Sequence, residues 1–329
     1  MADYTTIDNP ELYFQLKLYT GNGGTQSITL GGDEDMQPDF VWIADRTRDD
    51  NHPIFDSVRG AQKEIQSDST AAEVTRTDSL SAFDSDGFSL GLNSMVNYNT
   101  DSYVAWCWKE TATAGFDIVS YAGDGSAGRS LSHSLSATPH FILVKNRDDA
   151  VDWFVYHQNL TDDYNNKLNT NDAEFGGAYI FDPTSSIFKL RDHNVTNDSG
   201  DDYIAYAWAE KQGYSKFGTY AGNGSTDGAF IYTGFKPACV ILKCKSHTGT
   251  PWTIWDNKRP GYNVTDLRLR PDTNDNEDTS TADPIDLLSN GFKCRGNNDD
   301  SNKSGSTYIY MAWAESPFVN SNKVPNNAG

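Results

Sequence analysis

The residues best suited to chemistry in this 329-residue chain are acids and bases that recur at one spacing. Asp56 and Arg59 stand three apart, and the same pair returns as Asp256 and Arg259. The matching positions in the middle of the chain are His157 and Leu160. A pair kept twice and lost once reads as a structural salt bridge at a strand end, since exposed ion pairs imply little by themselves. The six histidines, His52, His133, His140, His157, His193 and His247, form no H-x-x-x-H or H-x-H spacing for a metal. No G-x-S-x-G elbow supplies a nucleophile for them to activate. Turns such as Gly21-Asn22-Gly23-Gly24 lack the lysine and following helix of a phosphate cradle, so they read as hairpin turns.

Oxygen ligands are densest in Asp272-Thr273-Asn274-Asp275-Asn276-Glu277-Asp278. Hard cations take six to eight oxygens, which makes Asp272, Asp275, Glu277 and Asp278 the candidate metal ligands and calcium the one cofactor to weigh. The EF-hand pattern fails because no glycine stands at the sixth position, so an ordinary solvated loop with no cofactor is the favoured reading. Two further acidic stretches, Asn197 to Asp202 and Asn297 to Asp300, precede apolar strands. No spacing selects two carboxylates for glycoside hydrolysis. Most aromatics fall inside predicted strands and read as core. The exposed exception is expected at Trp252, Trp255 and Tyr262, beside the Arg259-Pro260-Gly261 loop, as the candidate ligand-binding platform. Of four cysteines, Cys107, Cys239 and Cys294 replace small or apolar residues of equivalent segments and read as buried, whereas Cys244 is expected at the surface.

The elements that would position these groups repeat. Tyr103-Val104-Ala105-Trp106-Cys107-Trp108-Lys109-Glu110 returns as Tyr203 to Glu210 and as Tyr308 to Glu315. Alternation puts Tyr103, Ala105 and Cys107 on one face of a strand and Val104, Trp106 and Trp108 on the other, and neither face is polar. Both faces must therefore be covered. Each copy also has an opening strand that stops at a Gly-Asn-Gly or Gly-Asp-Gly turn, and a second strand that starts at Pro38, Pro139 or Pro237. The second strand ends in a basic residue, Arg46, Arg147 or Lys245. Regular turn signals predict an all-β fold of three tandem sandwiches, jelly-roll or lectin-like, of about 100 residues each. The expected boundaries are an arm at 1–15, units at 16–112, 113–213 and 214–318, and a loosely held polar tail at 319–329. Gln62 to Thr75 is the one place where a short helix is expected. Short joints predict a stiff object.

The formal net charge of -20 excludes nucleic acid and anionic membrane surfaces as partners. No apolar run is long enough to span a bilayer, and Met1-Ala2-Asp3-Tyr4-Thr5 has neither the basic nor the apolar part of an export signal.

Several segments together resemble a known family. They include Met1 to Asp8, Leu18-Tyr19-Thr20-Gly21-Asn22-Gly23, Gln37 to Ile43, Phe55-Asp56-Ser57-Val58-Arg59-Gly60, and the run from Tyr308 to Phe318. Along its full length the chain resembles an uncharacterised repeat domain of virion proteins from marine tailed bacteriophages. The resemblance implies a virion component on the tail or the capsid exterior, with other virion proteins as partners and no known activity. Two alternatives accompany it: an adhesin for host cell-surface glycans and, more remotely, a polysaccharide depolymerase. A homo-oligomer would have to use unit faces or the 1–15 arm, because heptads are absent.

Overall fold

A computed structural model describes residues 4–326. The fold is all-β and contains three large antiparallel sheets. The first runs in the order Phe14–Thr20, Ser102–Trp108, Phe40–Asp45, Pro53–Asp56, Lys63–Gln66, Val74–Thr75. The second repeats this order with Phe116–Ala122, Asp202–Trp208, Phe141–Asn146, Phe154–His157, Tyr164–Lys167 and Phe175–Gly176. The third holds four strands, Ser215–Ala221, Thr307–Pro317, Phe235–Cys244 and Thr253–Asp256. In each, the last strand of the unit inserts beside the first, pairing Phe14 with Trp108, Phe116 with Trp208 and Ser215 with Trp313. A three-stranded sheet, such as Gln26–Ile28, Gly87–Leu90 and Leu80–Asp84 in the first unit, completes each sandwich.

The alternation of the closing strand sorts its side chains between two cores. Tyr103, Ala105 and Cys107 pack with Val41, Ile43 and Phe88 between the two sheets of their own unit. Val104, Trp106 and Trp108 turn the other way, into a core shared by all three units. There Trp108, Trp208 and Trp313 form a triangle with ring centroids 6.3, 5.1 and 6.2 Å apart. Residues at the same place in the three closing strands thus meet in an approximately threefold arrangement. Their planes cross at 71°, 72° and 67°, an edge-to-face arrangement in which an indole edge meets a neighbouring π face. Such packing offsets the lack of a conventional acceptor for the three indole N–H groups.

The strand tyrosines and turn glycines lock the opposite end of each unit. Tyr103 stacks on Tyr19 at 5.0 Å, Tyr203 on Tyr121 at 5.1 Å and Tyr308 on Tyr220 at 5.1 Å. Their hydroxyls donate to the carbonyls of Ser94, Asn194 and Asp299 in the loops before the strand. Those loops press on the opening turn so closely that a Cβ on Gly21 would lie 2.0 Å from the Tyr98 carbonyl oxygen. The buried amides of Asn97, Asn197 and Asn302 clamp the same turns, bonding Asn22, Asp124 and Asn223 backbone N–H groups. In the acidic stretch Asn197 to Asp202, Asn197 is thus the turn clamp, and Asp201 accepts from the Asn146 side-chain amide at 2.8 Å.

Three expectations need correction, and the arm finds a docking place. The Gln62 to Thr75 stretch forms strands Lys63–Gln66 and Val74–Thr75, and the short α-helix lies at Ser94–Asn97. Its few apolar residues, such as the buried Ile65, suit period-two burial in a sheet. Cys244 is buried, because the loop containing Ser246 and His247 folds over it. The arm docks on the third unit: Tyr4 donates to the Gly234 carbonyl at 2.7 Å, and Tyr13 packs edge-on against Tyr214. The tail turns back through a Val319–Pro325 bridge, and the Ser321 amide donates to Asp8 at 2.7 Å. Residues 1–3 and 327–329 of those two segments lie outside the described residues.

Candidate functional site

The recurrent acid-base pairs sit between units rather than on the surface. Asp56 and Arg59 are both fully buried and bonded, as are Asp256 and Arg259 at 2.7 Å. Each arginine also donates to a carbonyl of its own unit, Ile54 at 3.0 Å and Ile254 at 2.8 Å. Each aspartate receives a hydrogen from a neighbouring unit: Tyr206 donates to Asp56 at 2.6 Å, and Trp106 Nε1 donates to Asp256 at 3.3 Å. The third interface closes differently. Asn159 N–H donates to His157 Nδ1, which leaves the proton on Nε2 to donate to the Tyr310 carbonyl at 3.2 Å. Burial pushes His157 down to about 3, so it stays neutral and structural. The strand-end salt bridge is therefore real, but it is enclosed where a surface pair was expected. Groups bonded on all sides have no access to a substrate.

The basic residues after the second strands form an outer ring of the same symmetry. Arg46 pairs with Glu277 at 2.9 Å, Arg147 with Glu73 at 2.9 Å and Lys245 with Glu174 at 3.4 Å, each across a unit interface. The backbone follows suit, since the N–H groups of Glu73, Glu174 and Glu277 donate to the carbonyls of Arg147, Lys245 and Arg46. Two buried lysines add to this seam. Lys145 donates to the carbonyls of Thr70, Asn146, Asp149 and Val151, and burial pushes it down to about 8. Lys243 is likewise pushed down to about 8 by burial.

This ring dissolves the candidate metal site. Glu277 is held by Arg46 and Arg259, and Asp278 by Arg268 and Arg270 at 2.8 and 2.9 Å. Asp275 lies outside, accepting from Thr273, while Asp272 is buried near Lys243 and pushed up to about 7 by that burial. Guanidinium groups satisfy Glu277 and Asp278, the Asp272 carboxylate is buried without a hydrogen-bond partner, and no group of three potential ligands converges among the described residues. The aromatic platform needs a similar correction. Trp252 and Trp255 are completely buried, and Trp252 Nε1 donates across an interface to the Lys167 carbonyl at 2.8 Å. Tyr262 alone is exposed, at 87%. All eight tryptophans are core residues.

One feature lies outside this symmetric frame. A cleft of about 540 Å³ opens on the second unit, where it is bordered by His157 and Leu160, the positions that lack the Asp–Arg pair. Tyr156, Tyr164 and Phe181 supply aromatic walls, and Asp162, Asp163, Asp182 and Arg191 supply charge. Asp182 pairs with Lys189 at 3.0 Å, and Asp163 accepts from the Ala178 N–H at 2.9 Å. The Arg191 guanidinium lies over the Tyr179 ring at 5.2 Å and has no carboxylate partner among the described residues. These residues escape sequence reasoning because nothing in their spacing marks them out: Tyr156 stands where the other units have Phe55 and Trp255, and Arg191 where the third has Arg295. The one available signal is the departure of His157 and Leu160 from the recurrent pair.

Comparison with curated proteins and with solved structures returns no match. A family model described as "Domain of unknown function (DUF7483)" matches residues 9–317. That span takes in all three large sheets with their shared core, and the protein is a member of the DUF7483 family.

Proposed function

We propose that this protein is a non-enzymatic structural component of a bacteriophage virion, carried on the tail as a fibre or appendage part or on the capsid exterior as a decoration. The observation that carries the reading is the use of its recurrent ionisable groups. Asp56, Arg59, Asp256, Arg259 and the Glu73, Glu174 and Glu277 ring are spent on joining three units into one block. A protein whose charges cross-link its own parts is suited to bearing load and presenting loops. The resemblance of its segments to virion repeat domains supports the same reading, as does a net charge of -20 that keeps densely packed copies soluble. Other virion proteins are the expected partners.

The test is mass spectrometry of purified particles followed by cryo-electron microscopy. Recovery of the chain at many copies per particle, with density for a three-lobed block on tail or capsid, is the expected result. Its absence from particles while it accumulates in the infected-cell lysate would overturn the proposal.

A further inference from the structure

We propose that the cleft of the second unit is a binding site for a neutral saccharide. The inference does not depend on where the protein is carried. At about 540 Å³ the cavity falls within the range of small-molecule sites, whereas the others described measure about 250 Å³ or less. It occurs in one unit of three, so the common architecture does not create it. Its position beside His157 and Leu160 ties it to the one interface built without a buried aspartate and arginine.

The chemistry of the walls selects the ligand class. Sugar rings present apolar C–H faces that stack on aromatic faces, and Tyr156, Tyr164 and Phe181 supply three such surfaces, with Tyr164 38% exposed. Vicinal hydroxyls both donate and accept, which calls for fixed donors beside fixed acceptors. Arg191 supplies donors that are not consumed by an ion pair, and Asp162 supplies a carboxylate with no hydrogen-bond partner among the described residues. Because Asp162 and Asp163 still outnumber Arg191 once Asp182 is paired with Lys189, the cleft disfavours phosphates and acidic sugars. The rim is preformed. Asp163 and Asp182 adopt left-handed backbone with φ of 61° and 46°, and Asp163 is held by the Gly177 and Ala178 N–H groups at 2.7 and 2.9 Å. A rim ordered before binding lowers the entropic cost of capture.

Saturation-transfer NMR on the full-length protein tests this with methyl α-glucopyranoside, methyl β-galactopyranoside, N-acetylglucosamine and N-acetylneuraminic acid as probes. At least one neutral sugar is expected to give a signal, and N-acetylneuraminic acid none. Titration of the positive sugar should show binding weakened roughly tenfold or more in Tyr164→Ala and in Arg191→Gln, the order expected for losing a stacking face or a charged hydrogen bond. Tyr262→Ala, on the third unit, should bind as the parent does. Amide chemical-shift dispersion checks that each variant is folded, and Arg191→Gln decides the matter if Tyr164→Ala is not. Silence from all four sugars, a strongest response to N-acetylneuraminic acid, or undiminished binding in the folded cleft variants would overturn the proposal.

Discussion

Where the first unit meets the second, Tyr206 hands a hydrogen to Asp56; where the second meets the third, the equivalent residue is Met311, which has none to give. Between the third unit and the first, Trp106 donates to Asp256 and restores the pattern. The buried acid is thus present at the two interfaces where the neighbour brings an indole or phenol hydrogen. An ionised carboxylate there requires a countercharge, which Arg59 and Arg259 provide. At the Met311 interface a neutral histidine finds the Tyr310 carbonyl instead, and no arginine is needed. Leu160 takes the arginine's place, and the cleft opens beside it. The difference between units shows that the Asp–Arg pair answers to the neighbouring strand rather than to chemistry of its own.

The largest way to break this comparison is to strip one partner from a symmetric interface. Asp256→Ala leaves Arg259 buried without its main countercharge and Trp106 without an acceptor, and should cost about 3–5 kcal/mol in urea unfolding. His157→Ala, at the neutral interface, should cost less. Next comes a transplant. Arg59→Leu alone strands a buried Asp56, whereas Asp56→His with Arg59→Leu reproduces the second unit's chemistry. The double variant should be more stable than Arg59→Leu by about 1–3 kcal/mol, and a double variant that is less stable would refute the account.

The outer ring offers a smaller contrast. Glu73 meets three cationic groups, Arg59, Lys63 and Arg147, whereas Glu174 meets one, Lys245, beside its hydrogen bonds from Thr161. Glu73→Gln should therefore lower stability by about 1–3 kcal/mol and Glu174→Gln by under about 1 kcal/mol, read from denaturant midpoints at constant slope. The smallest effect concerns the ends of the closing strands. Burial, with added repulsion from Asp117 and Asp39, pushes Glu110 up to about 7, while Glu210 pairs with Lys216 at 2.6 Å. A folded carboxyl above its unfolded value of 4.5 binds more protons than the unfolded chain in that interval, so stability falls as pH rises from about 4.5 to about 7. Thermal melts at pH 5 and pH 8 should differ by a degree or two less in Glu110→Gln than in the parent.

Much of this architecture is legible in the residues themselves. The two apolar faces of Tyr103 to Trp108 announce a strand covered on both sides, and the Gly-Asn-Gly turn announces its hairpin. The Trp252, Trp255 and Tyr262 platform misleads because aromatics beside a Pro-Gly loop look exposed until a neighbouring unit covers them. Cys244 misleads for the same kind of reason, since a local loop closes over it.

By itself the sequence determined the period-two burial, the strand tyrosines, the turn glycines and the acidic balance, because these follow from local sterics and from composition. Only the tertiary structure decided what lies against the second face of each closing strand, why Asp56 and Asp256 are acids while His157 is not, and where a cleft remains. Those outcomes depend on pairs such as Asp56 with Tyr206 and Asp256 with Trp106, far apart in the chain and joined only when three sheets close around one axis.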